Sequence, residues 1–317
     1  MGKLIVIGTI WLLVFAVTLV MIDSQLNVKE PVQSPDDTQN PPDQGDSAAS
    51  GFVVLQVDGY VVDDFWERGM HDLPMMTFVI NYVVSNLGNV SANAVTIKIM
   101  LDSDHYSTET IYGLAPNFEF RDTFSLAADY DQSKVVEVEA NFENISDSWS
   151  HVLEAELPRD PSWSLSRLFI TPQEISVKST YQEIMSGSIF VHWIEIRDWV
   201  GSNIEYIEDY NTYGVDKFWQ LGKETLERRT GDCEDFAILL CSMLRADGWS
   251  TEDVYVVIGE NEVGEYHAWV KVRIPYLGLW YNIEPTASGF HTGPLDVLVL
   301  SGYTPLYNFN DQYFIIV

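Results

Sequence analysis

The chain has 317 residues and a formal net charge of −30, and 46% of its residues are hydrophobic. Its length and apolar content allow two packed domains. The acidic excess repels phosphate backbones and argues against nucleic-acid binding. With only two cysteines, the chain has no disulfide framework.

The first fifty residues predict a membrane anchor and a tether. Residues 4–22 carry no charge, which is typical of a bilayer-spanning helix, and no small-residue cleavage site follows them. Lys3 before this run and Asp23 after it favour an N-terminus inside the cell. Residues 25–50, rich in proline and acid, predict a disordered linker. We therefore expect a single-pass cell-membrane protein, anchored by residues 1–24, whose C-terminal domains are extracellular; a cleaved signal peptide is the alternative.

Residues 51–158 predict an all-β domain. Runs of β-branched and aromatic residues alternate with turn residues, and the runs lie at 53–57, 76–84, 94–101, 119–126 and 134–142. This spacing is typical of an antiparallel sandwich. The segments VSNLGN (84–89) and GLAP (113–116) resemble those of immunoglobulin-like adhesion modules at bacterial and archaeal surfaces. Asn89 and Asn144 each begin a glycosylation sequon and are candidate glycosylation sites.

Residues 159–317 predict an α+β domain, with a helix packed on an antiparallel sheet. In TGDCEDFAILLCSMLR (230–245), apolar residues recur at helical spacing, so a buried amphipathic helix begins near Asp232. Cys233 falls in its first turn, where unpaired N–H groups and the helix dipole favour the thiolate of a nucleophile. A buried structural thiol is the alternative, and Cys241, in the middle of the helix, fits that description.

Two later strands add a histidine and an acid. Residues 265–274 alternate in polarity, which places His267 and Trp269 on one face of a strand. Residues 275–278 predict a turn, and residues 279–286 predict the returning strand. Pairing the two strands about this turn puts Glu284 opposite Trp269 and diagonal to His267, within hydrogen-bonding reach.

The motifs GDCEDFA (231–237), HAW (267–269) and WYNIEPT (280–286) together resemble the signature of transglutaminase-like domains. This branch of the papain-like superfamily includes bacterial transglutaminase-like cysteine proteases, and KFWQLGKETL (217–226) resembles the run before their cysteine. The resemblance implies a papain-like fold, with Cys233 as nucleophile and His267 as acid and base. Glu284 orients the imidazole at a position where the family usually has Asp.

The resemblance further implies that the Cys233 backbone N–H donates to the oxyanion, with Gln220 or Trp219 as the candidate second donor. Such a site forms a thioester from a peptide or glutamine amide of a protein or peptide substrate at the cell surface. Water as acceptor gives a protease or amidase, which we favour because no dedicated amine site is evident. A lysine amine as acceptor gives a crosslink. A catalytically idle surface module for adhesion or assembly is the remaining alternative, because Glu284 replaces Asp and the chain is tethered.

Three acids, Asp232, Glu234 and Asp235, crowd the cysteine. Acidic residues often begin helices, so their positions have an ordinary structural explanation. Some relatives bind calcium through acids that flank this cysteine, so the resemblance implies an optional calcium ion; no cofactor is required. Because the acids oppose thiolate formation, a cation or charged His267 would have to offset them.

Overall fold

Strands dominate residues 50–155 of the computed structural model, and helices precede a second sheet in the described residues that follow. The structure describes residues 50–162, 164–185, 192–274, 278–286 and 302–317, which form a single unit. The predicted anchor (1–24), nearly all of the predicted linker (25–50) and most of the predicted turn (275–278) lie outside these ranges. Among the described helices, none is both long and apolar enough to cross a membrane.

Residues 50–155 form two antiparallel sheets that share one core. A three-stranded sheet has the order β1-β2-β5 and a four-stranded sheet the order β4-β3-β6-β7. Ile80 and Tyr82 from the first sheet pack with Ile97 and Val138 from the second, and all four are at most 1% exposed. The strands are β1 (Leu55–Arg68), β2 (Pro74–Asn86), β3 (Ala92–Leu101), β4 (Asp104–Leu114), β5 (Glu119–Asp129), β6 (Gln132–Phe142) and β7 (Ile145–Ala155). The predicted sandwich is therefore present, with two more strands than the sequence indicated.

The two candidate glycosylation sites lie in turns of this sandwich. Asn89 and Asn144 are both exposed. The Asn89 side-chain oxygen accepts the Phe52 N–H at 2.8 Å. Asn144 lies between β6 and β7. Glycosylation of either residue stays a prediction.

The second half of the unit packs helices against a five-stranded sheet. The helices are α1 (Ile175–Ile184), α2 (His192–Asn203), α3 (Asp209–Tyr213), α4 (Gly222–Arg228) and α5 (Cys233–Ala246). The later strands are β8 (Glu205–Tyr206), β9 (Thr230–Gly231), β10 (Val254–Asn261), β11 (Tyr266–Arg273), β12 (Trp280–Ile283), β13 (Tyr303–Phe309) and β14 (Phe314–Ile316). The large sheet has the order β12-β11-β10-β13-β14, and β8 pairs with β9.

Helix α5 is the centre of this second core. Asp232 caps it in an extended conformation, as the sequence predicts, and Cys233 is its first helical residue. The helix contacts β10 and β11 on one side and α1, α2 and α4 on the other. Leu239, Leu240 and Leu244 are fully buried, and each such side chain stabilises the fold by roughly 1.5–3 kcal/mol. This packing fixes the start of α5, and with it the thiol, against strand β11.

Candidate active site

Cys233 lies at the start of α5 and faces strand β11. Its Sγ is 3.2 Å from Glu234 Oε2, and the Ala268 backbone N–H also lies beside the sulfur. Burial raises the pKa of the Cys233 thiol well above its ordinary value, and the charges of Glu234 and Asp232 raise it further. The Ala268 N–H acts in the opposite direction but does not outweigh them. Burial and the two acids therefore oppose the thiolate that the start of the helix favours, and an activated Cys233 stays a prediction.

His267 and Glu284 form the closest polar pair of the site. His267 Nε2 lies 2.6 Å from Glu284 Oε2, as the predicted strand pairing requires. The other carboxylate oxygen, Oε1, accepts both the Thr286 N–H at 3.0 Å and the Thr286 hydroxyl at 2.7 Å. Burial raises the pKa of Glu284, but the His267 and Thr286 contacts lower it more, so the carboxyl pKa lies below its usual value. With Nε2 engaged, Nδ1 is the nitrogen of His267 that remains for a thiol.

Aromatic rings enclose the imidazole. The Tyr303 ring centroid is 5.2 Å from that of His267, and the Trp269 ring lies 6.4 Å away at an interplanar angle of 25°. Trp269 Nε1 donates to Asn282 Oδ1 at 3.2 Å, which holds the indole in place. A Cβ at Gly259 would come within 2.5 Å of the indole, so glycine is needed there. Trp269 and Tyr303 therefore both lie beside the imidazole whose Nε2 contacts Glu284.

Cys233 and His267 line the same cavity, whose volume is about 810 Å³. Its lining also includes the apolar and aromatic side chains of Tyr206, Ile258 and Tyr307. The acidic residues that line it are Asp160, Asp216, Asp232 and Glu234, whereas the basic lining residue is Lys217, which lies 3.6 Å from Asp160. The cavity therefore combines a thiol, an oriented imidazole and a negative rim.

The two candidate oxyanion donors lie in different environments. Trp219 lines the cavity and is only 6% exposed. The Gln220 side chain is buried, and its Nε2 donates to Asp235 Oδ2 at 2.6 Å and to the Thr230 carbonyl at 3.2 Å. Both amide hydrogens of Gln220 are thus engaged by other acceptors, so an oxyanion would have to displace one of them. Trp219 and the Cys233 backbone N–H stay candidates for the role of oxyanion donor.

The three acids near the cysteine do not form one cluster. Asp232 groups with Cys233 and Glu234, and separately with Asp235 and Asp209, each set holding its ligand atoms within 4.8 Å of one another. Asp235 also accepts the backbone N–H groups of Gln220 at 2.8 Å and Asp232 at 3.3 Å, which gives it a structural role. The sequence reasoning missed Asp209, whose position at the start of the short helix α3, among tyrosines, carried no distinguishing signal.

The donor set of the second group fits a hard cation. Within the described residues, Asp209 Oδ1 and Asp232 Oδ1 are buried and have no hydrogen-bond partner. Burial and then the charge of Asp232 raise the pKa of Asp209 to about 7. Burial and then Glu234 raise the pKa of Asp232. Without a cation, ionisation of these two carboxyl groups is unfavourable. Carboxylate oxygens are also the ligands that Ca²⁺ prefers.

Comparison with known proteins identifies the domain that carries this site. Residues 192–285, which include all three members of the predicted triad, match the model of the transglutaminase-like superfamily. No curated protein matches the chain. The similarities to solved structures are distant. LapG of Legionella pneumophila is 15% identical over 50% of this chain and 81% of that one, with a TM-score of 0.37.

Two further structures are more distant. A calcium-bound form of LapG from Legionella pneumophila is 15% identical over 50% of this chain and 81% of that one, with a TM-score of 0.35. The CARDB domain of a Pyrococcus furiosus protein, in complex with di-metal ions, is 13% identical over 34% of this chain and 96% of that one, with a TM-score of 0.26. The family match and the local motifs agree, and residues 192–285 form a transglutaminase-like domain.

Proposed function

We propose that the protein is a cysteine-dependent hydrolase that cleaves peptide or glutamine amide bonds through Cys233, His267 and Glu284. The observation that carries this proposal is the 2.6 Å contact between His267 Nε2 and Glu284 Oε2, beside a cavity that Cys233 also lines. A buried carboxylate that holds one imidazole nitrogen, with the other nitrogen left for a thiol, is the arrangement that nucleophilic catalysis requires.

The reaction follows from the roles of these groups. His267 Nδ1 takes the thiol proton while Sγ attacks the carbonyl carbon, and Glu284 stabilises the imidazolium that forms. The Cys233 N–H, which has no partner within the helix because it belongs to the first residue, donates to the oxyanion. His267 then protonates the leaving amine, which leaves a thioester. Water, deprotonated by His267, hydrolyses the thioester and restores the thiol.

A protein-crosslinking acyltransferase is the second candidate. The acidic rim of the cavity favours it, because carboxylates at Asp160 and Asp216 would attract a lysine amine as acceptor. Hydrolysis and crosslinking share the thioester and differ only in the group that attacks it. The two therefore require an experiment that identifies the product.

The product experiment uses peptides derived from a whole proteome, incubated with the purified protein and analysed by mass spectrometry. Hydrolysis of peptide bonds gives new amino termini, amidase activity converts glutamine to glutamate, and crosslinking joins lysine to glutamine. Each product must disappear in the Cys233→Ala variant. If the products of wild type and variant are identical, the proposed function is wrong.

The charge of the cavity leads to a prediction about the substrate. Peptides with Lys or Arg beside the scissile bond are expected to react about tenfold faster than matched peptides with Asp or Glu, because the rim is negative. The difference should shrink as salt rises, since exposed charges are screened within about 8 Å at physiological ionic strength. Kinetics on the two peptide series, at low and high salt, test it. Equal rates for both series at low salt would contradict this reading of the rim.

A bound calcium ion forms part of the proposal. Asp209 and Asp232 would hold it, with Asp235 or Glu234 as a further ligand, and its charge would offset the acids that oppose ionisation of the thiol. Without a cation, a raised carboxyl pKa costs stability. Between pH 4 and pH 7 the unfolded chain releases the Asp209 proton while the folded chain retains it, so unfolding becomes easier as pH rises through this window.

The Asp209→Asn variant tests this site through stability alone. In the presence of a chelator, its melting temperature should exceed that of wild type by at least about 2 °C at pH 8, and this advantage should vanish near pH 4. Calcium at a concentration 100-fold above its Kd should stabilise wild type by about 2.7 kcal/mol and the variant far less. Asp216→Asn, in the cavity rim but outside the acidic group, is the matched control. Equal stabilisation of both variants by calcium would exclude Asp209 as a ligand.

The raised pKa of the Cys233 thiol is the observation that favours a catalytically idle surface module. In that case neither calcium nor pH near neutrality would produce a reactive thiol.

We further propose that the protein acts outside the cell, anchored through residues 1–24, on protein or peptide substrates at the surface. The charge of −30 supports partners other than nucleic acid.

A further inference from the structure

Arg159 joins the end of the β-sandwich to the segment that precedes the cysteine helix. Its guanidinium donates to the carboxylate of Asp131, which lies in the turn between β5 and β6. It also forms a two-point contact with Glu224 of α4, at 2.7 and 2.9 Å. The guanidinium lies 4.8 Å from the ring centroid of Phe218. One side chain thus connects a turn of the sandwich to Phe218 and Glu224 in the second half of the unit.

The contacts of Arg159 fix three consecutive residues. The Trp219 N–H donates to the Arg159 carbonyl at 2.8 Å, and the Trp219 carbonyl accepts from the Arg159 guanidinium at 3.2 Å. The Leu221 N–H donates to Glu224 Oε2 at 2.8 Å, and the same oxygen accepts from Arg159. Gln220, between them, is therefore held from both sides.

Gln220 continues the connection to the cysteine helix. Its backbone N–H and its side-chain Nε2 donate to the two oxygens of Asp235, at 2.8 and 2.6 Å. Asp235 lies in the first turn of α5, where it also accepts the N–H of the capping residue Asp232. Cys233 is next to that cap. Trp219, at the other end of the segment, lines the cavity of the thiol.

We infer that Arg159 is a positioning residue that makes the β-sandwich part of the support of the active site. The turn at Asp131 holds Arg159, Arg159 holds residues 219–221, and Gln220 holds the N-terminal turn of α5 through Asp235. Loosening the junction at Arg159 therefore displaces Cys233 relative to His267. The catalytic meaning of this coupling rests on the proposed function, whereas the coupling itself does not.

A second arginine provides a matched control. Arg68, at the end of β1, donates to the carbonyls of Ile170 at 2.8 Å and Asp311 at 3.2 Å, and also to the Arg167 carbonyl. It therefore also joins the sandwich to the second core, but these hydrogen bonds go to residues outside the segment 219–221. The Arg68→Met and Arg159→Met variants each loosen the junction, and only the second releases the segment before the cysteine helix.

Hydrogen–deuterium exchange of the full-length protein tests the coupling. In Arg159→Met, amides of residues 217–236 should exchange at least about tenfold faster than in wild type, while in Arg68→Met they should keep the wild-type rate. Arg159→Lys keeps the positive charge but lacks the guanidinium that makes the two-point contact with Glu224, so its exchange rates should be intermediate. Asp131→Asn should raise the exchange rates of the same amides by a smaller factor. If Arg159→Met fails to fold, the Asp131→Asn variant decides whether the junction is coupled to the cysteine helix. Equal effects of Arg68→Met and Arg159→Met, or no effect of either the Arg159 or the Asp131 variant, would overturn the inference.

Iodoacetamide labelling of Cys233 supplies the functional measurement. At pH 7.5 with calcium, Arg159→Met should label Cys233 about tenfold more slowly than wild type, Arg159→Lys should recover part of the rate, and Arg68→Met should match wild type. An unchanged or faster rate in Arg159→Met would overturn the positioning role. If wild-type Cys233 reacts only as an ordinary thiol, the proposed function fails, and the exchange experiment still decides whether the junction is coupled to the cysteine helix.

Discussion

Replacing Cys233 with alanine is expected to reduce turnover by more than about 10⁴-fold, because no other group of the cavity can form the thioester. The fold should survive, since the change removes only one sulfur atom from the lining of the cavity. The neighbouring acids Asp232 and Glu234 are unchanged. Turnover of the product-forming peptide, together with the melting temperature, measures both effects.

Cys241→Ala is the control for this variant. Cys241 is fully buried in the middle of α5, so its truncation should lower stability by about 1 kcal/mol and leave turnover intact. Turnover that persists in Cys233→Ala, or is lost equally in Cys241→Ala, would rule out Cys233 as the nucleophile.

Replacing Glu284 with glutamine is expected to lower kcat by about 10³- to 10⁴-fold while it preserves the shape of the site. The reason lies in the two hydrogen bonds that Thr286 donates to Oε1. A glutamine would keep its carbonyl oxygen there and turn its NH₂ group toward His267 Nε2. An imidazole that accepts at Nε2 carries its proton on Nδ1 and cannot take the proton of the thiol.

Glu284→Asp is the matched variant, because it keeps the negative charge and introduces the residue that transglutaminase-like domains usually have at this position. Its kcat should stay within about tenfold of wild type, since either carboxylate can orient the ring.

The stability of the Glu284→Gln variant provides a second measurement. Because the pKa of Glu284 is lowered in the fold, wild type should be more stable than Glu284→Gln above about pH 4.3 and lose this advantage as pH falls below it. A glutamine variant with wild-type kcat would show that Glu284 does not orient His267.

The sequence predicted the contact between His267 and Glu284 because the pattern behind it is local. Side chains in strands alternate with a period of two, so pairing β11 with β12 about one predicted turn sufficed to place Glu284 near His267. The thiol could be placed because a helix start has a recognisable pattern. Its protonation could not be predicted, because burial of Cys233 and the approach of Glu234 depend on tertiary packing.

Two strands of the sandwich escaped prediction for a physical reason. Strands β4 and β7 are the two edges of the four-stranded sheet, and most of their residues are exposed. Edge strands carry polar residues on their outer positions, which weakens the apolar alternation that identifies a strand. The inner strands β3 and β6 keep buried residues at alternate positions and were predicted within a few residues.

The contacts of Asp209 and Arg159 could not be predicted from the pattern of a single sequence. Both act through partners far along the chain, since Asp209 meets Asp232 and Arg159 meets Asp131 and Glu224. Neither lies in a motif, and a lone charged residue is ordinary on a protein surface. Gln220 differs from these two, because it lies in the motif of residues 217–226, and that motif did not reveal that Asp235 accepts its side-chain amide.

The pH dependence of iodoacetamide labelling at Cys233, with Cys241 counted separately as the buried reference, tests the central claim most directly. With calcium, Cys233 should label with a midpoint below the ordinary thiol pKa of about 8.5, and a chelator should move the midpoint upward because Asp232 and Glu234 then oppose ionisation. An accessible Cys233 whose midpoint stays at or above the ordinary value in both conditions would contradict an activated nucleophile and favour the idle surface module.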